Sequence, residues 1–313
     1  MRAADGVDNA RSWKRALSMS QPLLSTPRMA DLLGLSPGGF HRLVYVEWGD
    51  PKAPATICVH GLTRNGRDFD RLAAALVASG RRVVCPDVVG RGLSDWLGDP
   101  AHYGYPQYLA DMTALIARLD TGPIDWVGTS MGGLIGLLLA AQPKTPIRRM
   151  VINDIGPFVP RAALARIATY VGETPTFRDE VEVEAYLRRI HAPFGPLADE
   201  DWRHLARHAI RAGSEGHLEL HYDPAIARAF TEAPLADIDL WEAWDRISCP
   251  VLTLRGSQSD LLLAETAAEM GRRGPRAALY EIAGVGHAPM LMAPEHIALV
   301  RDWLSTASPV QSS

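Results

Sequence analysis

Asp125-Trp-Val-Gly-Thr-Ser-Met-Gly-Gly-Leu-Ile-Gly136 decides the fold of this chain. Ile124–Gly128 has strand character and Met131–Ala141 has helical composition, with Gly128-Thr129-Ser130-Met131-Gly132 between them. That is a Gly-x-Ser-x-Gly elbow, in which a strand turns sharply into a helix and leaves the serine exposed at the tip. Such a turn strains the serine backbone and brings the chain on either side so close that a Cβ is excluded, hence Gly128 and Gly132.

Outward from the elbow, the chain alternates strands and helices. Phe40–Trp48 alternates as a strand or hairpin, and Ala55–Val59 is a continuous apolar run suited to a strand buried on both faces. A helix over Asp70–Ser79 ends at Gly80, and a strand follows over Arg82–Val89. Tyr108, Leu109, Met112, Leu115, Ile116 and Leu119 fall at helical spacing, with Pro106 near the first turn. After the elbow come a strand over Arg149–Ile155 and, beyond a gap, a strand at Val251–Leu254. A helix around Ala264–Met270, a strand at Ala278–Ile282 and a last helix around Ile297–Leu304 complete the series. This rhythm implies right-handed βαβ units and a mostly parallel sheet, an α/β fold. Between about residues 157 and 236 it breaks into a helical insertion without a sheet strand. One of its helices carries Val183, Tyr186, Leu187 and Ile190 on one face. Another starts near Asp199, buries Trp202, Leu205, Ala206 and Ala209, and stops at Gly213. Residues 1–35 read as a poorly ordered leader.

Composition narrows the class. The 313 residues are 47% hydrophobic and 22% charged, enough for a sizeable core. A net charge of −4 offers no basic footprint for nucleic acid, and no apolar run is long enough to span a bilayer. Residues 1–27 carry Arg, Lys and Asp without an apolar stretch, so no signal peptide is read and a cytoplasmic protein, monomer or homodimer, is expected. Cys58, Cys85 and Cys249 are unevenly spaced in apolar runs and read as buried hydrophobes. His204 and His208, like His217 and His221, stand four apart. No carboxylate or cysteine accompanies them at ligand spacing, so neither a metal nor a cofactor is expected.

A serine hydroxyl needs a general base, usually a histidine held by a carboxylate. Active sites of open parallel sheets form beyond the carboxyl ends of the strands, so the partners are sought there. His287 follows the strand Ala278–Ile282 in Gly284-Val-Gly-His287, and Asp260 follows Val251–Leu254 by the loop Arg-Gly-Ser-Gln-Ser-Asp260. Asp260 is taken as the acid; its rival is Asp154, at the end of the preceding strand. The backbone N–H of Met131, opening a helix, and that of Leu62, after Gly61, are expected to hold an oxyanion. Substrate contacts are expected from His60, Gly61, Arg64 and, in the insertion, Trp202, although His60 also reads as a structural hydrogen-bonding group.

Taken together, His60-Gly61, Asp87-Val-Val-Gly-Arg-Gly-Leu-Ser94, Gly128-Thr-Ser-Met-Gly-Gly133, Asp260 and Gly284-Val-Gly-His287 resemble the α/β-hydrolase fold superfamily of the capped type. The resemblance covers roughly Phe40 to Leu304. It implies a mostly parallel eight-stranded sheet flanked by helices, with a helical lid that matches residues 157–236 over a core of 36–156 and 237–313. It also implies that Ser94 is structural. Relatives that attack with a carboxylate are set aside by Ser130, and the run Leu62-Thr-Arg-Asn-Gly66 departs from the Gly-Pro-Gly-like run of ring-cleavage-product hydrolases. Hydrolysis of carboxylic esters, including short hydroxyalkanoate oligoesters, is the expected activity on a small-molecule substrate. A carbon–carbon hydrolase, lactonase, thioesterase or catalytically idle receptor of the same fold is the alternative.

Overall fold

A computed structural model describes residues 26–232 and 234–306. Eight strands form one sheet: β1 (Arg28–Ser36), β2 (Gly39–Trp48), β3 (Ala55–Val59), β4 (Arg82–Pro86), β5 (Ile124–Thr129), β6 (Ile147–Asn153), β7 (Val251–Gly256) and β8 (Ala278–Ile282). Their order across the sheet is β1-β2-β4-β3-β5-β6-β7-β8. β1 and β2 run antiparallel at one edge, and every pairing from β4 to β8 is parallel. β3, β4 and β5 carry apolar residues without alternation because helices cover both faces of the sheet. Asp125 is the charged exception in β5. Its buried carboxylate is paired with Arg81 and with Arg148, whose Nη2 lies 2.7 Å away.

Residues 28–36 correct the reading of a leader through residue 35: they form β1, paired along its whole length with β2. This strand has little local signature, since Met29, Leu33 and Leu35 face solvent. What holds it is the ladder to β2 across the tight turn at Pro37-Gly38, a contact that periodicity does not reveal. Residues 1–25 of the expected leader lie outside the described residues.

The connecting helices are α1 (Asp70–Ala78), α2 (Tyr105–Leu119) and α3 (Met131–Ala140). Between β6 and β7 lie α4 (Arg161–Ala168), α5 (Glu180–Ile190), α6 (Asp199–His208), α7 (Arg228–Thr231) and α8 (Trp241–Asp245). α9 (Ala264–Met270) and α10 (Pro294–Ser305) follow β7 and β8. The inserted segment is not purely helical: Thr176–Phe177, Ile210–Ala212 and Leu218–Leu220 build a small antiparallel sheet. α6 therefore stops at His208, earlier than Gly213, because residues 210–212 are drawn into that sheet. Phe158–Val159 pairs with Ile238–Asp239, so the segment enters and leaves side by side. Its own cluster of Phe177, Val183, Leu187, Trp202 and Leu205 closes onto Met290 and Met292 of the loop after β8. Among the described residues no helix is long and apolar enough to cross a membrane.

The sheet order reverses direction at β3. The chain moves outward from β3 to β4, then returns past β3 to β5 and continues the other way. A crevice opens beyond the carboxyl ends of strands at such a reversal. Here the two loops that flank it carry Gly61-Leu62 and Ser130.

Candidate active site

Ser130 sits between β5 and α3 with φ 52° and ψ −117°, a conformation that costs energy for any residue with a side chain. Neighbouring backbone enforces it. A Cβ on Gly128 would lie 2.3 Å from the Gly132 carbonyl oxygen, and one on Gly132 would lie 2.1 Å from the Val59 carbonyl oxygen. The Ser130 N–H donates to the Asn153 carbonyl at 3.0 Å, fixing the elbow to the end of β6. Asn153 goes further: its Nδ2 donates to Thr129 Oγ1 and to the Pro289 carbonyl, at 3.1 and 2.7 Å. One side chain thus ties the serine's loop to the histidine's.

His287 Nε2 lies 2.8 Å from Ser130 Oγ, and its Nδ1 lies 2.9 Å from Asp154 Oδ2. Asp154, not Asp260, is the carboxylate on the imidazole. It is fully buried, and its two oxygens also accept from the Gly256 N–H and the Ser259 hydroxyl, each at 2.7 Å. Asp260 is half exposed and forms a bidentate pair with Arg166 of α4. The loop after β7 explains the difference. Ser259 turns inward, donating to Asp154 and accepting from the N–H groups of Leu261 and Leu262, and so sends the next side chain outward. A serine capping that turn does what Asp260 could have done, and the sequence has no mark that says which of the two faces in.

Gly61 and Leu62 face the elbow: a Cβ on Gly61 would meet the Ser130 Cβ at 3.7 Å. Arg91 is a residue that sequence reasoning passed over as a chemical participant. Fully buried, it donates through Nε to the Leu62 carbonyl at 2.8 Å and through Nη1 to the Val89 carbonyl and Tyr108 Oη. Its Nη2 rests 3.6 Å from the Met131 sulfur. Both residues named for the oxyanion are therefore braced by one guanidinium. The signal for it was the motif Asp87–Ser94, in which Arg91 is the one cation.

The other expected substrate contacts divide. His60 is wholly buried and turned away from the crevice; its Nδ1 meets the Gly61 carbonyl at 2.7 Å and its Nε2 accepts from the Val88 N–H at 2.9 Å. Burial pushes its imidazole down to about 4. It is a loop brace, and as a substrate contact it is corrected. Ser94 likewise binds backbone, donating to the Asp87 carbonyl and accepting from the Val44 N–H. Trp202 is also corrected. It packs inside the inserted segment under the Arg188 guanidinium, since an indole flanked by Val183, Leu187 and Leu205 buries more surface there than at a rim.

Arg64 does border the site, although its guanidinium is buried and doubly hydrogen-bonded to Asp68 at 2.6 and 2.9 Å. It lines a small cavity of about 60 Å³ in which Ser130, Arg166, His191 and His287 stand among apolar walls such as Ile167 and Phe194. His191, stacked on Phe194 at 4.3 Å, is held well below the usual imidazole range by burial, then by the charges of Arg64 and His287. On the other side of Ser130 opens an apolar cavity of about 250 Å³, walled by Leu62, Met131, Leu134, Ile155, Leu164 and Phe230. The serine hydroxyl thus borders both a larger apolar arm and a smaller arm of mixed lining that carries Arg166 and His191.

Residues 56–299 match the model of the alpha/beta hydrolase family. The chain is 46% identical over 293 residues, spanning 90% of this chain and 99% of the relative, to a 3-hydroxybutyrate-oligomer hydrolase of Cupriavidus necator. It is 27% identical over 232 residues to an esterase of Mycobacterium tuberculosis, covering 73% of this chain and 74% of that one. Among solved structures, a hydrolase from Rickettsia typhi superposes with a TM-score of 0.84 at 34% identity, over 90% of this chain and all of that one. An α/β hydrolase from Novosphingobium aromaticivorans gives 0.79 at 38% identity, over 89% and 99%.

Proposed function

The chain belongs to the alpha/beta hydrolase family, and from that premise we propose that it cleaves carboxylic esters through Ser130, His287 and Asp154, its substrates being oligoesters of short hydroxy acids. The observation that carries this reading is the continuous contact from Ser130 Oγ through His287 to a buried Asp154, at the junction of the two cavities. His287 Nε2 takes the hydroxyl proton as Ser130 Oγ attacks the ester carbonyl. Asp154 accepts from Nδ1–H, which fixes the tautomer and stabilises the imidazolium. The N–H groups of Leu62 and Met131 receive the oxyanion, with Arg91 holding both in place. Collapse of the tetrahedral species expels the alcohol, which leaves with the proton from His287. Water, activated by the same imidazole, then frees the acyl group.

The substrate class rests on the relative from Cupriavidus necator and on the apolar arm, which suits an acyl unit with a short alkyl branch. The segment between β6 and β7 contributes Leu164 and Phe230 to that arm and Arg166 and His191 to the smaller one, so it acts as a lid that selects the substrate. The test compares a linear trimer of 3-hydroxybutyrate with p-nitrophenyl acetate and butyrate. Wild-type protein is expected to release monomer from the trimer, and Ser130→Ala to lose at least about 10³-fold in kcat. Near-wild-type turnover by Ser130→Ala would refute the mechanism. Activity on the nitrophenyl esters with none on the trimer would refute the substrate class alone.

A further inference from the structure

Glu200 and Asp201, four and three positions before His204 on the same helix, are held by Arg71. The carboxylate that folding brings to His204 and His208 comes from another element. Asp70, the first residue of α1, meets them where α6 crosses the start of that helix. One ligand atom from each of the three lies within 4.8 Å of the other two. His204 Nε2 is 3.6 Å from Asp70 Oδ2, and the two imidazoles stand edge to face with centroids 4.7 Å apart. Histidines four apart present their rings on one face of a helix, and a carboxylate from a second element completes a three-ligand face.

We propose that Asp70, His204 and His208 form a site for a divalent transition-metal ion of the zinc, cobalt or nickel kind, tying the inserted segment to the sheet domain. Two imidazoles and one carboxylate suit such borderline ions better than calcium or magnesium, which prefer all-oxygen sets. The two helices are already aligned by other contacts. Arg71 of α1 reaches Glu200 and Asp201 at the start of α6, each at 2.6 Å, and Asn65 Nδ2 donates to the His208 carbonyl at 2.7 Å. Little ordering is left for the ion to impose. Its competitor is Arg67, whose Nε donates to both Asp70 oxygens at 2.9 Å and whose carbonyl lies 2.9 Å from His204 Nε2. Binding therefore takes Asp70 from Arg67, and the neutral His204 ring shifts its N–H from Nε2 to Nδ1 so that Nε2 can coordinate. Water fills the remaining position.

Tag-free protein titrated with Zn²⁺ and with Co²⁺ tests this. At about one hundred times the dissociation constant, Zn²⁺ is expected to raise Tm by about 5 °C. Co²⁺ is expected to give visible absorption bands of a nitrogen- and oxygen-ligated ion. The pair His204→Gln with His208→Gln removes two of the three ligands and should lose both signals, with metal-free Tm and ester turnover unchanged. Arg67→Ala, which releases Asp70, should move affinity the opposite way. A wild-type protein blind to both ions overturns the proposal. So does a metal response that survives in the double variant, which would place the ion elsewhere, or an affinity that Arg67→Ala leaves untouched.

Discussion

Asp154→Asn is expected to lower kcat by roughly 10³- to 10⁴-fold with KM little changed, because an amide in that position no longer favours the tautomer that accepts the serine proton. Asp260→Asn removes an exposed ion pair with Arg166 and is expected to change kcat by less than about three-fold. Steady-state kinetics on p-nitrophenyl butyrate for the two variants decide between the carboxylates, and the reverse ranking would return Asp260 to the role. A second residue-scale consequence concerns His60, whose imidazole sits at about 4 in the fold against an ordinary 6.5. The folded chain therefore binds fewer protons than the unfolded one between those values, and stability present above pH 6.5 is lost as pH falls toward 4. A gap of that size in a fully buried group corresponds to roughly 3 kcal/mol. Asp87 works in the opposite sense. Burial raises its carboxyl to about 6 from 3.8, so it gains stability as pH falls through that window. His60→Gln should start less stable at pH 7 yet lose much less by pH 4.5, as read from urea midpoints. Parallel profiles for variant and wild type would remove His60 from the acid response.

At the level of elements, the elbow is the least forgiving part of the chain. Gly132→Ala would put a methyl group inside the Val59 carbonyl, and both partners are backbone, so neither can swing aside. A loss of about 3 kcal/mol or more is expected, seen as a lowered Tm or no soluble protein. Arg91 links three elements: the loop after β3, α2 through Tyr108 and α3 through Met131. A lysine keeps the charge but cannot reproduce the fork, so Arg91→Lys is expected to cost kcat about 10- to 100-fold while KM moves less. A rise in KM with kcat unchanged would mean that the guanidinium shapes the pocket rather than the oxyanion loop. The same scale shows where reading from sequence falters. α1, α2, α3 and the buried strands stand out by period and apolar run. β1 does not, because its stability comes from a ladder with β2 while its large side chains face water.

Over the whole molecule, the two cavities at Ser130 draw their walls from both the sheet domain and the inserted segment, so substrate range is a property of their packing together. Leu164→Trp, on α4, narrows the apolar arm from the inserted side without touching Ser130 or His287. The kcat/KM ratio of p-nitrophenyl octanoate to acetate should fall about ten-fold, in line with the worth of one or two buried methylenes. An unchanged ratio would place the acyl chain outside this cavity. What the amino-acid order determined alone is local: the strand–helix rhythm, the elbow with its two crowded glycines, and a serine and a histidine at strand ends. These follow from periodicity and steric exclusion over a few neighbouring residues. Tertiary structure alone decided which aspartate meets the imidazole, and that Asp70 meets two histidines more than a hundred positions away. Such meetings depend on which way one loop side chain turns and how two helices cross, and packing between distant segments sets both.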